Sequence, residues 1–286
     1  AYGITQGGYD KGREKLEEFW RGAANHGSVF GPVKDNPFAD WFGDMGNQAT
    51  YNFMESMSHI FSPYQLNPFD FNPLRDALEE VVDFEYMRHC NKALCLHINA
   101  TNVRTGKVRV FHNEELTSDV VLASACLPMI FKAVEIEGEH YWDGGYMGNP
   151  SIFPLAYHAK SPDVLIVHLN PMLRDELPTT SSEIYNRINE ISFNSALLLE
   201  LRSIAFVRKL IDEGKLSAND YRKLQIHAIK VDNIMSKLSV ESKFNTDWDF
   251  LCELRDEGRK ATTKWLKANY DIVGKDSSID IANEYL

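Results

Sequence analysis

The sequence is short of several things, and each shortage narrows the reading. Its 286 residues hold four cysteines, Cys90, Cys95, Cys126 and Cys252, with no C-x-x-C spacing among them. Each lies in an apolar or mixed stretch, so they read as free thiols of a reducing compartment rather than a disulfide framework. Positive charge is also scarce: 30 Lys and Arg stand against 41 Asp and Glu, a net charge of -11. No basic stripe exists to neutralise phosphates, which sets nucleic acid aside as a partner. The same balance disfavours charge-driven docking on an anionic membrane and leaves transient docking through apolar side chains open. No run is apolar and long enough to span a bilayer, no charged-then-apolar leader is visible, and there is no internal repeat or low-complexity linker. The expected location is the cytoplasm or the membrane periphery. No H-E-x-x-H or paired-histidine spacing occurs, so neither a metal nor a cofactor is expected. The glycines Gly3, Gly7, Gly8 and Gly12 lack the phosphate-loop pattern and follow no strand, which makes them turn and helix punctuation.

What is present suits a globular α/β chain. With 44% apolar and 12% aromatic residues the sequence can bury a substantial core. Leu16, Phe19 and Trp20 form an apolar patch at helical spacing. From Phe30 to Phe71 aromatics crowd together with Met45, Met54 and Met57. This segment is either a packing layer over the core or a mobile cover over an apolar cleft, with Phe38, Trp41, Phe42 and Phe53 as candidate substrate-binding residues. Pro73 opens a helix with Leu74, Ala77, Leu78 and Val81 on one face. Strands are expected over 93–99, 107–111, 163–169 and 224–231, and helices over 117–123 and 150–159. Ile184, Ile188, Ile191, Leu198, Leu201 and Ala205 predict a long amphipathic helix that stops near Gly214. Trp248, Leu251, Leu254, Gly258, Ala261 and Trp265 predict a last one, with Gly258 packed closely against a neighbour. Strands alternating with helices point to a layered α/β fold.

The stretch with most chemical content is Glu139-His-Tyr-Trp-Asp143-Gly144-Gly145. Val134 and Ile136, a Glu137-Gly138 turn and then Tyr141 suit a hairpin with one buried face. Asp143 falls at its end, before two glycines that let the backbone turn or be approached closely. An Asp held there is a candidate acid–base group; an Asx-type turn is the plain alternative. His140 with Asp143 as a metal pair is disfavoured, since strand alternation puts them on opposite faces. Asn102 and Arg104 make a turn or, for Arg104, hold a lipid phosphate; Trp142 reads as core, and Asn149 as a helix cap.

Taken in order, Thr101-Asn102-Val-Arg-Thr-Gly106, Ala123-Ser-Ala-Cys-Leu-Pro128, the 134–136 hairpin, Tyr141-Trp-Asp143-Gly144-Gly145 and Asn149-Pro150 resemble the second half of a patatin-like phospholipase. The closer likeness is to a bacterial subgroup with a helical C-terminal extension, here around Phe244-Asn-Thr-Asp-Trp248 and Leu254-Arg-Asp-Glu-Gly258. The resemblance implies a three-layer α/β/α fold and a lipid acyl hydrolase with a Ser–Asp dyad. Asp143 would be the base, and Gly144, Gly145, Asn149 and Pro128 supporting motif positions. No G-x-S-x-G occurs in the 286 residues; Gly27-Ser28-Val-Phe-Gly31 has the wrong spacing, and Ser124 has no flanking glycines. The expectation is therefore that the strand, oxyanion loop and nucleophile elbow precede Ala1 in the same protein, leaving 1–175 as the rest of the catalytic domain and 176–286 as a helical extension. The partners implied are a lipid or acyl-ester substrate and that N-terminal segment. The competing reading is a lipid-binding or scaffold protein without turnover.

Overall fold

The computed structural model describes residues 1–27, 61–90, 94–217, 219–235, 238 and 245–286. Phe38, Trp41, Phe42 and Phe53 of the expected cover, and Ser28, lie outside these residues. The chain divides into two compact units, Ala1–Gly144 with Glu241–Glu253, and Gly145–Val240 with Leu254–Leu286.

The first unit opens with a helical stretch, Tyr2–Gly27, broken at Gly7 and Gly8. Gly8 has φ 74, a left-handed value that favours glycine, so Gly7 and Gly8 punctuate the helix as expected, whereas Gly3 and Gly12 lie where the two segments approach too closely for a side chain. The helix packs on Pro73–Val81, whose Ala77 and Leu78 are buried. Pro73 sits in the first turn of that helix, and the Asn72 side chain accepts the Leu74 N–H as its cap. Four antiparallel strands follow: β1 (Ile98–Asn102), β2 (Val108–Phe111), β3 (Val134–Ile136) and β4 (Glu139–Asp143), in the order β2-β1-β4-β3. Glu137 and Gly138 both have positive φ, the turn that matches strand twist in a two-residue hairpin. Ala100, Phe111 and Tyr141 meet Val120 and Ala123 of the Ser118–Ser124 helix in one buried cluster. Thr117 caps that helix by accepting the Val120 N–H.

β1 begins later than the apolar run 93–99 suggests. The Asn113 side chain accepts the Leu96 N–H at 2.8 Å and donates to the Leu94 carbonyl at 2.9 Å. Backbone groups expected in a ladder are thus satisfied by a side chain, and pairing starts at Ile98.

The second unit is built on β5 (Asp163–His168) and β6 (Gln225–Lys230), which pair in parallel. Val164, Ile166 and Ile226 pack with Ile152, Leu197, Leu201, Leu224, Ile281 and Tyr285. The Ser181–Asp212 helix starts with a Thr180–Glu183 capping box, and Gly214 at φ 70 follows its end. The C-terminal half of the expected stripe holds, with Leu201 in this core and Leu198 and Ala205 packed against it, whereas the N-terminal half differs. Leu197 and Leu201 are buried, but Ile184, Ile188 and Ile191 stand exposed, and Glu190 and Asn194 turn inward instead. Arg174 and Arg187 draw Glu190 in, and Asn194 donates to the Pro171 carbonyl at 3.3 Å. The helix expected over 150–159 is Phe153–His158. Asn149–Pro150 is a cis bond ahead of it, and Ile152 occupies the cap position, so Asn149 does not cap it. The Trp248–Asn269 helix is capped by Asp247, which accepts from Asp249 and Phe250. Within it, Gly258 faces open space among the described residues, contrary to the close packing expected. The class is mixed α/β with a helical C-terminal region.

Candidate functional site

Asp143 closes β4, and the backbone there is fixed from two sides. Its N–H donates to the Cys126 carbonyl at 2.8 Å, and its own carbonyl accepts the Thr101 hydroxyl at 2.8 Å. β1 runs alongside, with Ala100 opposite Asp143. The next residue must be glycine: a Cβ on Gly144 would lie 2.1 Å from the Asn99 carbonyl oxygen. That is far inside any allowed contact, so a side chain here would push β1 off β4. The Asp143 side chain is half-buried; Gly144 and Gly145 are buried, and Gly144–Tyr146 make a short 3-10 turn.

The Ala123–Pro128 segment meets Asp143 through Cys126. After the Ser118–Ser124 helix the chain turns, with the Ile130 and Phe131 N–H groups both donating to the Leu127 carbonyl at 3.0 Å. Pro128 belongs to this turn rather than to the helix end, which comes at Ser124. Cys126 is buried beneath it and donates from Sγ to the Lys132 carbonyl at 3.0 Å. Burial pushes its thiol up to about 12, and the nearby Asp143 and Asp70 carboxylates push the same way. Cys126 is therefore a protonated packing residue at neutral pH, with no nucleophilic character.

Several sequence candidates have structural partners. Asn102 organises the 101–106 turn: its Oδ1 accepts the Thr105 N–H and hydroxyl, both at 2.9 Å, and its Nδ2 donates to Glu139 at 3.0 Å. Arg104 pairs with the same Glu139. That contact raises the arginine and, from the other side, lowers the Glu139 carboxyl. Ser124 donates its hydroxyl to the Val121 carbonyl at 2.7 Å, within a helix and not at an elbow. His140 is exposed on the face of β4 opposite Asp143, and Trp142 is half-buried. Asn149 is half-buried and Pro150 exposed. Among the described residues no group of three or more His, Cys, Asp or Glu is placed to hold a metal ion. Sequence reasoning assigned no role to Thr101 or the Cys126 carbonyl. Both act through contacts between residues distant in the chain, which no local pattern announces.

A family model for patatin-like phospholipase matches residues 8–156, just over half of the chain. The chain belongs to the patatin-like phospholipase family. A comparison with curated proteins found no match. The matched range takes in 101–106, 123–128, 143–145 and 149–150, and ends inside the Phe153–His158 helix. For a patatin-like domain hydrolysis is the general class of activity and lipid the substrate class.

Proposed function

We propose that the full-length protein hydrolyses lipid acyl esters with a Ser–Asp dyad in which Asp143 is the base. The observation that carries this reading is the D-G-G corner itself, an Asp whose backbone is pinned by Cys126 and Thr101 and followed by a glycine that only β1's close approach demands. In the dyad the Asp143 carboxylate takes the serine hydroxyl proton as the oxygen attacks the acyl carbonyl. The alcohol leaves with that proton, and water repeats the sequence to release the acid. An ordinary Asp carboxyl, near pH 3.9, is a weak base, so oxyanion donors must carry much of the rate.

The nucleophile, on this reading, is the serine of a G-x-S-x-G elbow in a segment before Ala1, as in the bacterial subgroup with a helical extension. Two features support it. No such motif occurs in the 286 residues. In the second unit β5 pairs only with β6 among the described residues, and leaves Leu165 and Val167 exposed. Parallel strands are ordinarily continued by neighbours and covered on both faces, so a further strand beside β5 and a helix packed over the Leu165 and Val167 face account for the two observations. Residues 1–175 are then the remainder of the catalytic domain and 176–286 its helical extension, acting in the cytoplasm or at the membrane periphery. The missing motif also favours a second reading, a lipid-binding or scaffold protein without turnover.

Hydrolysis of a chromogenic acyl ester by the full-length protein separates the two. The dyad gives turnover that falls at least about a thousandfold in Asp143→Asn. Absence of turnover, with lipid binding intact, selects the scaffold.

A further inference from the structure

The segment from Phe61 to Asn72 presents a cluster of exposed apolar side chains. Phe69 is 94% exposed, and Phe61, Tyr64, Leu66 and Phe71 are exposed around it. Exposed apolar residues scattered singly need no explanation, but five large ones within eleven residues do. The loop is also built to hold this shape. The Asn67 side chain clamps Phe71 from both sides, accepting its N–H at 2.9 Å and donating to its carbonyl at 2.8 Å. Gln65 accepts the Ser62 N–H at 2.9 Å, and the Asn67 N–H donates to the Pro63 carbonyl at 2.9 Å. Lys132 fastens the loop to the body by donating to the Pro68 carbonyl at 2.9 Å, and the Tyr64 hydroxyl accepts the Ala133 N–H at 3.3 Å.

We propose that this loop docks the protein on the surface of a zwitterionic phospholipid bilayer, with Phe69 and Leu66 entering the boundary between headgroups and acyl chains. The occupant follows from three things. The family's substrates are lipids. Phe69 is almost fully exposed, and the exposed Tyr64 in the same segment joins an apolar ring to a polar tip, a combination that suits a membrane interface. Within the segment the only charge is Asp70, and the one cation fastened to it, Lys132, offsets that charge on a chain of net charge -11, so attraction to anionic headgroups is not the driving force. The loop's anchor also leads to the candidate site. Lys132 holds Pro68 and its carbonyl accepts the Cys126 thiol, while the Cys126 carbonyl holds the Asp143 N–H. A bilayer docked at Phe69 is thus connected through three residues to Asp143. That last step rests on the dyad reading; the docking itself rests only on the loop and the family's substrate class.

The test is co-sedimentation of the full-length protein with phosphatidylcholine vesicles. Wild type is expected in the pellet, and the double variant Leu66→Ser/Phe69→Ser to partition at least about tenfold more weakly. Both positions are exposed, so folding, checked by circular dichroism, is expected to be retained. Exchanging part of the phosphatidylcholine for phosphatidylserine should not strengthen binding. Equal partition of variant and wild type overturns the proposal, as does binding that needs phosphatidylserine. A loop that instead mediates self-association, lost in the variant with vesicle binding unchanged, also overturns it. Two further results keep this claim apart from the dyad. The double variant should still cleave a water-soluble short-chain ester, and Asp143→Asn should still bind vesicles. Turnover retained in Asp143→Asn overturns the dyad and leaves the docking surface standing.

Discussion

At the scale of single residues, the corner around Asp143 depends on what is missing at Gly144. A methyl group there would meet the Asn99 carbonyl at 2.1 Å, and backbone cannot give way as a flexible side chain can. Gly144→Ala is therefore expected to lower stability by about 3 kcal/mol or to prevent folding, read from urea denaturation midpoints. A change of under about 0.5 kcal/mol contradicts the packing described. Cys126 offers a second check. Burial holds its thiol up to about 12, so at pH 8 it should stay unlabelled by a thiol reagent in the native protein and react once the protein is unfolded in urea. Cys95 is exposed and should react in both states. Labelling of native Cys126 at the rate of Cys95 contradicts its burial. The acidic corner itself was legible in the sequence, because Asp-Gly-Gly after a hairpin is a local pattern. The reason for the first glycine was not, since the atom that excludes a side chain belongs to β1, more than forty positions earlier.

At the scale of elements, two long-range polar contacts explain the largest differences between pattern and structure. The hairpin, the Pro73 helix and the Thr117 cap are local devices and were readable as such. The exposure of Ile184, Ile188 and Ile191 is not legible in the pattern, because periodicity says which residues share a face, not which face is buried. Glu190 settles that through its arginines. Burial works against its charge, but Arg174 at 2.5 Å and Arg187 at 3.1 Å prevail, and the carboxyl is held below the ordinary range. A depressed carboxylate contributes stability that is complete above its unfolded value, about pH 4.3, and is lost as pH falls through the lower folded value. Glu190→Gln is expected to cost about 2–3 kcal/mol at neutral pH, with the gap to wild type shrinking in acid. A gap that is the same at neutral pH and well below the carboxylate range contradicts the role given to the charge. At the start of the same helix, Thr180→Ala removes the side-chain cap on Glu183 and should lower stability by about 1 kcal/mol in urea unfolding; no change would show that end of the helix to be frayed. β1 starts later than its apolar run because of the Asn113 bridge to Leu94 and Leu96, which has no signature in the strand's own residues.

For the whole molecule, family and class were legible because ordered motifs survive as strings: 101–106, 123–128, 143–145 and 149–150 fall within the matched range. How the motifs touch was not legible. The Cys126 carbonyl meeting the Asp143 N–H joins two of them, and only the fold reveals it. The proposed dyad makes one demand beyond these contacts, a serine outside the 286 residues that Asp143 activates. Covalent labelling of the full-length protein with a fluorophosphonate, mapped by mass spectrometry, tests it most directly. The expected result is a single adduct on the serine of a G-x-S-x-G motif upstream of Ala1, strongly reduced in Asp143→Asn. An adduct on a serine within residues 1–286, or labelling that is unchanged in Asp143→Asn, would contradict it.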